Sequence, residues 1–162
     1  MTDRSGPASV RDARSDDLDA IVRFNLALAS ETEGKVLDRA TLARGVAAAL
    51  ANPDRLRYWV AEVDGRVVGQ TAVTREWSDW RNGWIWWFQS VYVAADSRGL
   101  GIFRALHARI RVEAHAEPDV IGLRLYVEHD NEPAQRTYQA LGMVPGGYLV
   151  YEEIWPTSEV PD

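Results

Sequence analysis

The stretch Arg98-Gly99-Leu100-Gly101-Ile102-Phe103-Arg104 has the residue types and spacing to hold an anion. It joins an apolar run, Trp84 to Val93, to an amphipathic run, Ile102 to Ala116, with apolar residues at 102, 103, 106, 110 and 112. That pattern predicts strand, tight turn and helix. The first turn of such a helix presents N–H groups with no partner inside the helix, at the partly positive end of the peptide dipoles. Gly99 and Gly101 let the backbone approach a ligand closely, while Arg98 and Arg104 bracket the turn with positive charge. No Gly-Lys-Ser/Thr follows and a third glycine is missing, so the turn is neither a Walker loop nor a dinucleotide fingerprint. A phosphate cradle of another kind and a plain strand-to-helix corner both fit the stretch taken alone.

A second group lies further on, in Asn131-Glu132-Pro133-Ala134-Gln135-Arg136-Thr137-Tyr138-Gln139-Ala140-Leu141-Gly142-Met143. Asn131 is a helix N-cap, and Pro133 is tolerated in the first turn. Ala134 and Tyr138, four apart, lie one above the other on one face, so a phenol can reach along a ligand beside a small clearance. A core tyrosine with a bonded hydroxyl fits the same spacing. Carboxylates able to serve as a base or to bind an ammonium stand at Glu31, Glu33, Glu76, Asp79 and Glu128, each equally readable as a solvated surface charge. Trp77, Trp80, Trp84, Trp86 and Trp87 cluster with Phe88. In strand alternation Trp84, Trp86 and Phe88 face one side and Ile85, Trp87 and Gln89 the other, so both faces are covered. Rings near the loop suit an amine pocket or a dimer face.

The rest of the composition excludes other chemistry. With 162 residues, 46% of them hydrophobic and 26% charged, the chain suits one domain with a single core. There is no cysteine, which removes disulfides, thiolate metal sites and a thiol nucleophile, and is compatible with a reducing, cytoplasmic compartment. His107 and His115 lie eight apart on one helix, a spacing of surface residues rather than ligands, and no metal site is expected. A net charge of −6 argues against a nucleic-acid partner and for a cationic one. No run is long enough to span a bilayer, and no membrane partner is expected.

The elements that must position these residues follow in order. Residues 1–8 read as a polar, disordered tail, 9–155 as one domain and 156–162 as a second tail. A first strand spans Ser9 to Arg14, and a helix capped at Ser15-Asp16-Asp17 runs to about Ala29. A polar segment, Ser30 to Val36, leads to a helix from about Asp38 to Ala51. Arg57 to Val63 and Val67 to Arg75 form a hairpin through Asp64-Gly65, with a bulge at Gly69. Trp77 to Gly83 reads as a loop, followed by strand four, the glycine turn and its helix, and a buried strand from Val120 to Val127. A helix from Asn131 ends at Gly142, and Val144 to Trp155 reads as one or two final strands around Pro145-Gly146-Gly147. The expected architecture is α/β: a mixed central sheet of about six or seven strands flanked by about four helices.

Both motifs, and the order of elements over residues 9–155, resemble the GNAT superfamily of acyl-CoA N-acyltransferases. That family carries Gln/Arg-x-x-Gly-x-Gly/Ala at the start of the helix after strand four, and Asn-x-x-Ala-x-x-x-Tyr-x-x-x-Gly-Phe after the following strand. Here Phe103 stands in the place of a small residue, and Met143 in that of the usual Phe. The resemblance implies a single-domain N-acetyltransferase using acetyl-CoA. It implies that the backbone of Ser90, Val91, Tyr92 and Val93 holds pantetheine and the acetyl carbonyl, that Arg98, Gly99, Leu100, Gly101, Ile102, Phe103 and Arg104 cradle the pyrophosphate, and that Asn131, Ala134 and Tyr138 line the cofactor. Tyr138 would be the acid toward the CoA sulfur. Strand four lacks the carboxylate often found there, leaving Glu33, Glu128 or water as the base. The segment after the first helix would cover the acceptor end of the cleft, bringing Glu31 and Glu33 toward Trp77 and Trp80 as substrate-binding residues. The implied partner is a small-molecule or peptide amine, with a homodimer compatible. Two other classes fit the same motifs: a non-catalytic acyl-CoA sensor, and an interaction module of the same fold.

Overall fold

Alternating apolar residues on either side of Asp64-Gly65 build the hairpin around which the sheet grows. The computed structural model describes residues 6–156, and the tails expected over 1–5 and 157–162 lie outside the described residues. In chain order the elements are β1 (Ser9–Asp12), a 3-10 turn (Ser15–Asp17), α1 (Leu18–Glu33), α2 (Arg39–Ala51), β2 (Arg57–Val63), β3 (Arg66–Ser78), β4 (Gly83–Val93), a second 3-10 turn (Ala95–Ser97), α3 (Ile102–Ala116), β5 (Val120–Leu125) and α4 (Glu132–Ala140). The chain divides into two compact units, one ending at Tyr126 and one beginning at Val127.

The first unit holds a five-stranded sheet in the order β1-β2-β3-β4-β5. The first three pairings are antiparallel and β4–β5 is parallel. One face is covered by α3, whose Ile102, Leu106, Ile110 and Ala114 pack with Trp59, Ala61, Val68, Val73, Trp86 and Phe88. The other face is covered by α1 and α2, through Ile21, Val22, Val46 and Ala49 against Tyr58, Val60 and Ala72. Burying a side chain such as Leu106, which has no exposed surface, contributes about 1.5–3 kcal/mol. Arg11 ties β1 to the start of α1 by bonding Asp17 at 2.8 Å and Glu62 at 2.6 Å. Asp17 in turn accepts from the Arg14 N–H at 2.7 Å.

Several expectations change. The sheet has five strands, not six or seven. The shortfall lies in the second unit, where 144–156 form no strand and Tyr148, Leu149, Tyr151, Ile154 and Trp155 are exposed. β-Propensity without a paired neighbour does not make a strand. The first helix does not stop at Ala29 but continues to Glu33 and ends at Gly34, which has φ 61°. β3 runs on to Ser78, so Trp77 belongs to the sheet: it pairs with Trp84, ring edge to face at 5.0 Å, and the predicted loop shrinks to a hairpin turn. The bulge expected at Gly69 falls beside it, where the β2–β3 register shifts. His107, read as a surface residue, is buried, stacked on Phe88 at 5.7 Å. The helical period leaves position 107 next to the apolar stripe, and the sheet covers it.

Candidate active site

Two features of β4 set up the site of the first unit. The β3–β4 register passes from Gln70↔Tyr92 to Ala72↔Gln89, so Ser90 and Val91 together oppose Thr71, and Ser90 adopts φ 52°. The parallel ladder with β5 ends at Phe88↔Leu125. From Gln89 onward, the edge of β4 that faced β5 has no ladder partner among the described residues. Ser90, Val91, Tyr92 and Val93 all lie on this free stretch.

The bulge is held by side chains that the sequence reading did not single out. Gln70 has no exposed surface. Its Nε2 donates to the Ser90 carbonyl at 3.1 Å and to Asn25 Oδ1 at 3.2 Å. Asn25 Nδ2 donates to Tyr58 Oη at 3.3 Å, and Thr71 Oγ1 donates to the Gln89 carbonyl at 3.3 Å. Gln70 Oε1 is buried without a partner among the described residues. In the sequence, Gln70 and Thr71 interrupt an apolar strand, and those polar residues were the available signal.

The chain leaves β4 through the 3-10 turn and enters α3 at Gly101. Gly99 has φ 78° and Gly101 φ 76°, both in the left-handed region. A Cβ built on either would meet nothing within 4 Å, so the turn borders open space. Gly101 caps α3 without a side-chain bond to the first-turn amides, which fits the helix end to an anion. Leu100 and Arg104 are exposed there, and Ile102 is buried. Phe103 turns toward the core, its ring 6.3 Å from Phe88 and 6.2 Å from His107. Its bulk at a small-residue position is therefore absorbed in packing.

Arg98 is fixed by three contacts. Its Nη2 bonds Glu31 Oε2 at 2.6 Å, its Nε donates to the Val93 carbonyl at 3.0 Å, and its guanidinium lies 5.4 Å from the Tyr92 ring. Tyr92 Oη donates to Glu31 Oε1 at 2.9 Å, and Phe24 packs on the Tyr92 ring at 5.2 Å. The Arg98 bond, with help from Tyr92, holds the Glu31 carboxyl below the usual carboxylate range. Burial and the Glu31 contact push the Tyr92 phenol up. The expected approach of Glu31 and Glu33 to Trp77 and Trp80 is not formed. Glu31 binds at the Tyr92 end of β4, whereas Trp77 pairs with Trp84, eight residues away or roughly 26 Å along the strand. Glu33 pairs with Lys35 at 2.5 Å, and Trp80 is 86% exposed in the hairpin turn. The extension of α1 is the cause, since it carries Glu31 onto the arginine.

The second unit contains α4. Asn131 Oδ1 accepts from the Ala134 N–H at 3.2 Å, and Gln135 Nε2 donates to the carbonyls of Glu128 and His129. Ala134 and Tyr138 are half-buried and one turn apart, and burial pushes the Tyr138 phenol up. The Met143 N–H closes the helix on the Tyr138 carbonyl at 3.0 Å, and Glu128 is exposed.

The fold is thus an α/β sheet whose fourth strand is bulged, leaves β5 after Phe88 and runs into a glycine turn at the start of α3. The family model described as Acetyltransferase (GNAT) family matches residues 23–143. The chain belongs to this GNAT family of acetyltransferases, whose acetyl donor is acetyl-CoA. A solved structure of a possible acetyltransferase from Clostridium difficile 630 is 44% identical, covers 93% of this chain and 99% of its own, and superposes with a TM-score of 0.85. Two more distant structures share the fold. One is a predicted acetyltransferase with acetyl-CoA from Clostridium acetobutylicum, at 20% identity, 90% and 96% coverage and a TM-score of 0.72. The other is a ribosomal-protein-alanine N-acetyltransferase from Brucella melitensis biovar Abortus 2308, at 17% identity, 92% and 99% coverage and a TM-score of 0.72. No curated protein matches the sequence.

Proposed function

We propose that the chain transfers the acetyl group of acetyl-CoA to a primary amine of a small molecule or peptide. The observation that carries this reading is the continuity of the free edge of β4 beyond Phe88 with the open glycine turn at the start of α3. Acetyl-CoA supplies an activated acyl thioester. In this reading the backbone at Ser90, Val91, Tyr92 and Val93 holds the pantetheine arm, and the N–H groups there polarise the acyl oxygen. The amides of 98–104, with Arg98 and Arg104, hold the pyrophosphate. Asn131, Ala134 and Tyr138 take their roles from their motif: Asn131 starts the helix, Ala134 leaves clearance, and Tyr138 Oη gives its proton to the departing thiolate. A phenol raised by burial keeps that proton at neutral pH.

The test has two arms. CoA raises the melting temperature and pantetheine raises it far less, because only CoA carries the pyrophosphate. A panel of primary amines is then assayed for release of free CoA from acetyl-CoA. Tyr138→Phe lowers turnover on the order of ten- to a thousand-fold with CoA affinity nearly unchanged. Equal stabilisation by pantetheine and CoA refutes the cradle. CoA binding with no amine-dependent release favours the sensor reading.

A further inference from the structure

The apolar cluster of α1 and α2 takes in Ala72 of β3, and α1 meets β4 at Tyr92 through Phe24. On the same face, the register places Thr74 beside Trp87, Glu76 beside Ile85, Gln89 beside Ala72 and Arg124 beside Trp87. Gln89 Nε2 donates to Thr74 Oγ1 at 2.8 Å. Next to them, Glu76 reaches across from β3. Trp87 Nε1–H donates to its Oε2 at 2.6 Å, and Arg124 Nη1 donates to the same oxygen at 3.3 Å. Glu76 Oε1 accepts no hydrogen bond from any described residue. The Trp87 ring packs on Tyr126 at 4.4 Å and 35°, and Tyr126 is 58% exposed. Strand four has no carboxylate of its own, and β3 supplies one to its surface.

From this geometry we propose that Glu76, with the Trp87 and Tyr126 rings, anchors the acceptor, and that the acceptor is a singly charged primary ammonium on an apolar or aromatic carbon chain. This rests on the function proposed above. One carboxylate oxygen is fixed by the indole, and the other offers its lone pairs to an ammonium. The Trp87 ring already carries the Arg124 guanidinium at 5.7 Å and packs on Tyr126, so it is the exposed Tyr126 that adds attraction for the cation and cover for the carbons. The guanidinium of Arg124 offsets the carboxylate's charge, so a polyamine would bring its further charges against a cation. Position follows from the register. Trp87 precedes Phe88, the last β4 residue paired to β5, and Gln89 on the free edge is two residues on, about 7 Å along the strand.

The test observes binding rather than turnover. Among the seven tryptophans, the indole Nε1–H resonance of Trp87 is identified in 15N-labelled protein by its loss in Trp87→Phe. The protein is titrated with phenethylammonium chloride, 2-phenylethanol and spermidine. Phenethylammonium is expected to shift this resonance saturably, with the alcohol and spermidine each at least tenfold weaker. Glu76→Gln keeps an oxygen for the indole but removes the charge, and weakens phenethylammonium binding at least tenfold while CoA still stabilises the fold. Equal shifts by the amine and the alcohol, or unchanged binding in Glu76→Gln, overturn the proposal. If those occur while CoA stabilisation and amine-dependent CoA release persist, the anchor alone is wrong. If the amine-specific shift persists without either, the proposed transfer is wrong and the anchor stands.

Discussion

Gln70 holds the Ser90 bulge of β4 from the neighbouring strand. A fully buried amide is retained only when its bonds are needed, and this one donates to Ser90 and Asn25 while its own oxygen goes unpaired among the described residues. Gln70→Leu relieves the unpaired oxygen but strips a donor from the Ser90 carbonyl and from Asn25 Oδ1. The expected loss is about 1–3 kcal/mol in urea denaturation, accompanied by a several-fold weaker Kd for CoA as the bulge relaxes. Gln70→Glu places a carboxylate against two acceptor oxygens and destabilises more than Leu. If Leu and Glu leave CoA affinity untouched, the bulge does not depend on this side chain. Its role was not legible in the sequence, because a polar residue in a strand has no partner until the neighbouring strand is in register.

α3 is held against the sheet by a missing side chain as much as by its apolar stripe. A Cβ on Gly69 would stand 2.7 Å from Ile102 Cγ2 and 3.3 Å from the Tyr92 carbonyl. Glycine at 69 thus lets the first turn of α3 settle next to β4 at Tyr92. Gly69→Ala must push that turn outward, costing about 1–3 kcal/mol, and should cut the CoA-induced rise in melting temperature more than a Leu106→Ala variant of comparable stability does. Matching losses in the two variants would reduce Gly69 to a packing residue. α3 and its bounds could be read from the sequence, since periodicity and the glycine turn agree there. The bounds of α1 and β3 could not. Glu31 is drawn into helix by Arg98 and Tyr92, and Trp77 into strand by Trp84, partners 61 or more residues away in one case and across a hairpin in the other.

Stability of the first unit depends on groups that titrate in two separate pH windows. Burial, assisted by Arg111, lowers the pKa of His107 from its ordinary 6.5, so the fold holds the neutral imidazole. Between the folded and unfolded pKa values the unfolded chain binds more protons. This contribution is therefore complete above about pH 6.5 and is lost as the pH falls through the folded pKa. The carboxyls of Asp17 and Glu31 are also lowered, Asp17 because its Arg11 and Arg14 bonds outweigh the effect of burial. Their contribution is present above about pH 4 and lost below it. Thermal melts from pH 8 to 3 should show a decline beginning near 6.5 and a steeper one near 4. His107→Leu should remove the first and leave the second; a persisting first decline would assign it to another group.

Local rules were enough for the glycine turn, the Asn131 cap, the Asp64-Gly65 hairpin and the bounds of β2 and α3, because each is specified by neighbours within a turn or two of chain. They were enough, too, for the family that those motifs resemble. The free edge of β4 depends on where β5 stops pairing, and the left-handed Ser90 on a glutamine in β3. The carboxylate at Trp87 comes from a residue eleven positions away, and Glu31 meets Arg98 rather than the aromatic hairpin. Hydrogen bonds across strands and ion pairs between helix and turn are long-range contacts, and sequence spacing carries no record of them until the sheet register brings the strands together.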